Sequence, residues 1–150
     1  MEFSVGIDIG AHAHHVAILD PDGHLNEAFE IPHQQTGFDH LFSRLDHHRK
    51  RLGATPVIGM EGLGGYARPL DRQIQNAGLP LLNLNNLKVN RFRQLFGADA
   101  KNDHRDALMI AQMVRLRTSL AGNGERVLYA APPVDPLHQR IKWTQYYHGI

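Results

Sequence analysis

Cysteine is missing from this chain, which excludes a disulfide framework and any thiolate metal centre from its 150 residues. A thiol-free composition fits a reducing compartment, and the cytoplasm is the expected location. Long apolar runs are missing too. None approaches the roughly 20 residues that cross a bilayer, and Met1-Glu2-Phe3-Ser4 leads straight into a strand-like run with no leader, so no membrane partner is expected. Charge of one sign is scarce, with a net charge of only +1. Internal repeats and low-complexity tracts are absent as well. What remains is 42% hydrophobic and 21% charged. That is ordinary globular material, long enough for one domain with a proper core.

Taken in order, residues 3–10 read as a strand with Val5, Ile7 and Ile9 on one face and Asp8 on the other, near its end. Gly10 permits a turn just beyond. His15 to Leu19 is a second short run. Asp20-Pro21-Asp22-Gly23 is a strong turn signal, with Pro setting φ and Gly accepting a positive φ. Leu25 to Ile31 alternates as a half-buried edge strand, and the three strands are expected to form an antiparallel meander. Thr36-Gly37-Phe38-Asp39 resembles a capped helix start, followed by the stripe Phe38, Leu41, Phe42, Leu45 and a stop at Gly53. Thr55 to Met60 suits a buried parallel strand. Helices are expected over 66–77 and 87–96, with a short strand at 79–82 between them.

Histidines cluster at His12, His14 and His15, and again at His47 and His48. Successive strand residues point to opposite faces, which argues against a shared metal ion. These imidazoles are read as surface or nucleic-acid-facing groups.

Carboxylates stand out at three places. Asp8 lies near the end of the first strand. Glu61 follows the fourth strand and precedes Gly62-Leu63-Gly64-Gly65, where open α/β sheets bind ligands. The same Glu61 also reads as an ordinary loop carboxylate. Asp103 and Asp106 open a helix whose apolar stripe continues through Ala107, Ile110, Ala111 and Val114, so both acids face the protein body. Buried acids call for a metal ion, a basic partner or a shared proton. The pair reads equally as an N-cap and a first-turn acid favoured by the helix dipole. Around it lie Lys88, Arg91, Arg93, Lys101 and Arg105, a basic surface that suits a phosphate-rich partner.

The order of elements and the placement of the acids resemble the ribonuclease-H-like fold in its Holliday-junction-resolvase (RuvC) form: an α/β mixed sheet, with a three-strand antiparallel meander plus parallel strands, flanked by helices. More narrowly, the chain resembles the N-terminal domain of the IS110/IS1111 transposases. The matching segments are Gly6-Ile7-Asp8-Ile9-Gly10, Met60-Glu61-Gly62-Leu63-Gly64-Gly65-Tyr66, residues 78–85 and Lys101-Asn102-Asp103-His104-Arg105-Asp106-Ala107. The resemblance spans about residues 3–120. It implies a catalytic and metal-binding DEDD tetrad of Asp8, Glu61, Asp103 and Asp106, with Asp8 central. It also implies Mg²⁺ or Mn²⁺ as cofactor, as two ions, which hard oxygen ligands favour over zinc. The implied activity is divalent-metal-dependent phosphodiester cleavage and strand transfer during insertion-sequence transposition. Its implied partners are DNA, a structured guide RNA and further copies of the chain. Lys88, Arg91, Arg93, Lys101 and Arg105 are then expected to hold phosphate backbone.

Some positions depart from the family pattern: Gly62-Leu63 where Thr-Gly or Ser-Gly is usual, Asn102 where Thr often stands, and Ala11 where a basic residue is common. None removes a carboxylate. Residues 1–120 are expected to form the catalytic domain, and 121–150 a linker with the start of a further helix. The C-terminal serine domain of such families is absent from these 150 residues, so Ser4, Ser43 and Ser119 are not read as nucleophiles. Three other readings remain open: a structure-selective junction nuclease with the same tetrad, an actin-like sugar-kinase lobe suggested by Gly6-Ile7-Asp8-Ile9-Gly10, and a catalytically incomplete nucleic-acid-binding fragment.

Overall fold

The computed structural model describes residues 1–61, 68–84, 105–117 and 128–130. Alternation of apolar and small or polar residues makes β1 (Glu2–Ile9) a two-faced strand. Phe3, Val5 and Ile7 enter one core and are fully buried, while Ser4, Gly6 and Asp8 face the other side. β2 (Ala13–Leu19) and β3 (Leu25–Pro32) complete the antiparallel meander. The turn between them forms as its sequence dictates. Asp20 Oδ1 accepts the backbone N–H groups of Asp22 at 3.0 Å and His24 at 2.9 Å, and Gly23 takes φ 91°.

α1 (Gln35–Leu52) lays Phe38, Leu41, Leu45 and His48 on the sheet. It starts two residues earlier than the Thr36 cap suggested, because Phe38 N–H already donates to the Gln34 carbonyl at 3.1 Å. Gly53, at φ 62°, ends it with its N–H bonded to Arg49 at 3.0 Å. β4 (Thr55–Met60) returns parallel to β1, in register from Glu2↔Thr55 to Ile7↔Met60. α2 (Arg68–Asn76) adds Leu70 and Ile74 to the same core as α1. Each such fully buried aliphatic or aromatic side chain contributes about 1.5–3 kcal/mol. β5 (Leu81–Leu84) lies two residues later than the sequence suggested. Pro80 has no N–H to offer a ladder, and its carbonyl accepts from Ile58 N–H at 3.0 Å instead.

α3 (Arg105–Arg115) covers the opposite face of the sheet. Its Ala107 and Ala111 pack with Ala17 and Leu19, and its Met109, Ile110, Met113 and Val114 pack with Val57 and Leu84. β6 (Leu128–Ala130) pairs antiparallel with β5, completing the order β3-β2-β1-β4-β5-β6. Its three residues lie in the stretch read from sequence as linker. So short a run carries no periodicity of its own, and only pairing with β5 defines it. No described helix is long and apolar enough to cross a membrane. The expected helix over 87–96 and the start of a helix after 137 lie outside the described residues.

Candidate active site at the carboxyl ends of β1 and β4

Three of the four acids singled out by sequence occupy one end of the molecule. Asp8 is the penultimate residue of β1, and Glu61 follows the last residue of β4. Since Ile7 pairs with Met60 in a parallel ladder, Asp8 and Glu61 are the next positions along the two neighbouring strands. Asp8 also looks towards α3. A Cβ on Gly6 would overlap the Ala107 carbonyl and lie 3.0 Å from Ile110 Cβ, and one on Gly59 would lie 3.3 Å from Ile110 Cγ2. Both glycines therefore look at α3. Two residues on from Gly6, the pleat of β1 turns Asp8 to that side, and Glu61 directly follows β4.

The direction of α3 brings in the third acid. Arg117, just past the helix, donates to Glu2 Oε2 at 2.7 Å, at the start of β1. The helix therefore runs antiparallel to β1, and its first turn lies over the carboxyl end of the strand. Ile110 sits over the Gly6–Gly59 pair. Four residues back along the helix is Asp106, a step of about 6 Å. Two strand residues forward are Asp8 and Glu61, a step of about 6.6 Å. The two steps nearly match, so Asp106 is carried towards the other two carboxylates. All three are half-buried. Their ligand atoms do not all lie within 4.8 Å of one another. Asp103, Lys88, Arg91, Arg93 and Lys101 lie outside the described residues. Arg105 is the first residue of α3.

The approach of α3 depends on the lack of side chains beneath it. Gly6, Ala17, Ala107 and Ala111 meet where larger residues would hold helix and sheet apart. The glycine that sequence reading assigned to a strand motif thus also sets the distance between two acidic elements.

Histidine placement departs from the sequence expectation. His14 is fully buried and His48 is 4% exposed, so neither is a surface imidazole. His48 Nε2 and Arg44 Nε both bond Glu27 Oε1 at 2.8 Å. Gly10 N–H donates to His14 Nδ1 at 3.3 Å, which assigns the ring proton to Nε2, facing His33 Nδ1 at 2.8 Å. Burial, reinforced by the neighbouring His33 and His15, pushes the His14 pKa down to about 4. Burial lowers His33 as well. Partners 19 residues apart in sequence make this pair, so no local signal announces it. His15 stands across from Asp8 in the β1–β2 ladder and is half-buried.

Among the described residues one group of three metal-type ligands comes within 4.8 Å: Asp20, Asp22 and His24. It is the β2–β3 turn itself. Asp20 already accepts two backbone N–H groups there, and the bond from His24 leads in holding its carboxyl below the ordinary value.

Comparison with known proteins bears on the family and the fold. The family model for DEDD transposases of the IS110 type, described as a transposase, matches residues 5–124. No curated protein matches the chain. Among solved structures, T. thermophilus RuvC in complex with a Holliday junction substrate aligns with a TM-score of 0.53 at 14% identity. That alignment covers 86% of this chain and 100% of that one, and it assigns the fold to the RuvC-type, ribonuclease-H-like class. A ROK family glucokinase from Streptomyces griseus, in complex with glucose and AMPPNP, aligns with a TM-score of 0.41 at 18% identity, covering 67% of this chain and 39% of that one. Matched by that family model over most of its length, the chain belongs to the IS110-type DEDD transposase family.

Proposed function

We propose that this chain is the catalytic domain of a DNA transposase that cleaves and rejoins phosphodiesters with divalent cations held by Asp8, Glu61, Asp103 and Asp106. The observation that carries the reading is the one-position step from the Ile7↔Met60 pair to Asp8 and Glu61, under a helix whose first turn carries Asp106. The donor set fits Mg²⁺ or Mn²⁺: every candidate ligand is a carboxylate, and the chain has no thiolate to recruit a softer ion. When bound, such ions activate an attacking oxygen and stabilise the leaving oxygen of a phosphodiester.

The protein's own residues do the rest. β1 holds Asp8 and β4 leads directly into Glu61, and the packed glycine–alanine contact fixes how near α3 brings Asp106. Half-burial limits how far each carboxylate swings. Lys88, Arg91, Arg93, Lys101 and Arg105 bind the phosphate backbone, giving affinity without base identity. A structured guide RNA and assembly of several copies, in the cytoplasm, complete the family-based proposal.

The test is Asp8→Asn. It is expected to abolish Mg²⁺-dependent cleavage of branched DNA, a loss beyond the roughly 10–100-fold typical of a metal's outer partners. The far-ultraviolet circular dichroism should be unchanged. Retained cleavage in this variant refutes the assignment.

A further inference from the structure

The face of the sheet beneath α3 carries a continuous polar row. In the β1–β2 ladder Asp8 pairs with His15, and in the β2–β3 ladder His15 pairs with Glu30. Opposed residues of antiparallel strands project from the same face, with Cβ atoms about 4.5–5.5 Å apart. Ala17 and Leu19, two and four residues after His15, pack on α3, so His15 belongs to the α3 face. Glu30, His15, Asp8 and Glu61 thus occupy successive strands, β3, β2, β1 and the end of β4. His15 Nδ1 lies 4.0 Å from Glu30 Oε2, an electrostatic approach and not a hydrogen bond. The His15 side chain is 22% exposed and that of Glu30 is 57% exposed, so the row runs from solvent into the candidate site.

We propose that His15 is a positioning residue for Asp8. Its imidazole restrains the Asp8 carboxylate from the β2 side, while Glu30 steadies the ring from β3. Asp8 is thereby flanked on both sides of its strand, by His15 and by Glu61, and is presented in one orientation. This inference rests on the proposed carboxylate site. It assigns to that site a residue that the four acids do not include.

Mn²⁺ binding provides the test, read by electron paramagnetic resonance on the 150-residue chain, with cleavage as a second readout. His15→Ala is expected to weaken Mn²⁺ binding about 10–100-fold, the usual effect of removing a group that orients a ligand. Its thermal midpoint should stay near that of the parent. His15→Gln, whose amide can reach the position of Nε2, is expected to recover most of the affinity. Should His15→Ala not fold, His15→Gln and Glu30→Gln carry the test, with a smaller loss expected in the latter. Wild-type Mn²⁺ affinity in His15→Ala, together with loss in Asp8→Asn, overturns the inference and leaves the site intact. Wild-type affinity in Asp8→Asn overturns the site reading and this inference with it.

Discussion

Gly6 and Ala107 are in direct backbone contact: a Cβ on Gly6 would overlap the Ala107 carbonyl oxygen and stand 2.5 Å from the Ala111 nitrogen. The obstructing atoms are helix backbone and cannot rotate aside. Gly6→Ala therefore has to push α3 away from β1. Overpacking of this kind costs about 1–3 kcal/mol, to be measured by urea unfolding. Displacing α3 also moves Asp106 from Asp8, so Mn²⁺ affinity should fall as well. Ala17→Gly, which adds no atom at the same contact, should destabilise without shifting the helix outward.

Acid sensitivity is expected from His14. Its pKa is about 4 in the fold, against 6.5 for the free side chain. The folded protein holds this ring neutral, so the unfolded chain binds the proton more readily. Stability is then full above about pH 6.5 and declines as the pH falls towards 4. The loss from this one group is on the order of 3 kcal/mol. Urea midpoints measured from pH 7.5 to 4 check this. In His14→Gln the slope between pH 6.5 and 4 should shrink.

Glu27 contributes a second, separate acid limb. Burial alone would raise its pKa, but hydrogen bonds from His48 and Arg44 outweigh burial and hold the carboxyl below its ordinary value. A depressed carboxyl stabilises the fold above the unfolded value of about 4.5 and loses that contribution as the pH falls below it. Glu27→Gln should cost about 1–3 kcal/mol at pH 7, since it weakens bonds to the buried His48 and to Arg44. Its stability should also vary less below pH 4.5. Calorimetry at pH 7 and pH 4 separates the two effects.

Phosphate contact is tested by salt. Replacing Lys88, Arg91, Arg93, Lys101 and Arg105 together with alanine should flatten the plot of log K against log salt for duplex DNA. Each contact removed lowers the slope by about 0.9. Fluorescence anisotropy between 50 and 200 mM salt, both on the order of usual assay conditions, reads the change. An unchanged slope would remove these residues from the DNA interface.

The sheet was largely legible in sequence because its signals are local. Alternation in β1, the Asp20-Pro21-Asp22-Gly23 turn and the Gly53 stop each depend on a few adjacent residues, and the structure follows them. Asp8 and Glu61 could be named because strand ends are local too. Burial of His14 and His48 could not, because their partners His33 and Glu27 come from other elements. Imidazole polarity points to water until those partners are known. The position of His15 beside Asp8 depends on strand register, and register is set by the length of the β1–β2 turn, not by either residue alone.

That turn, residues 10–12, has a sharper consequence. Its first residue, Gly10, is itself pinned, since a Cβ there would overlap the Ala13 carbonyl. Adding or deleting a single residue would slip β2 by one position and send every side chain of the strand to the other face. His14 would leave its apolar niche for the acidic end of the molecule, and His15 would be driven into the aliphatic interior. Codon insertions and deletions at this corner should therefore be far less tolerated than changes in the residues themselves, Gly10 excepted.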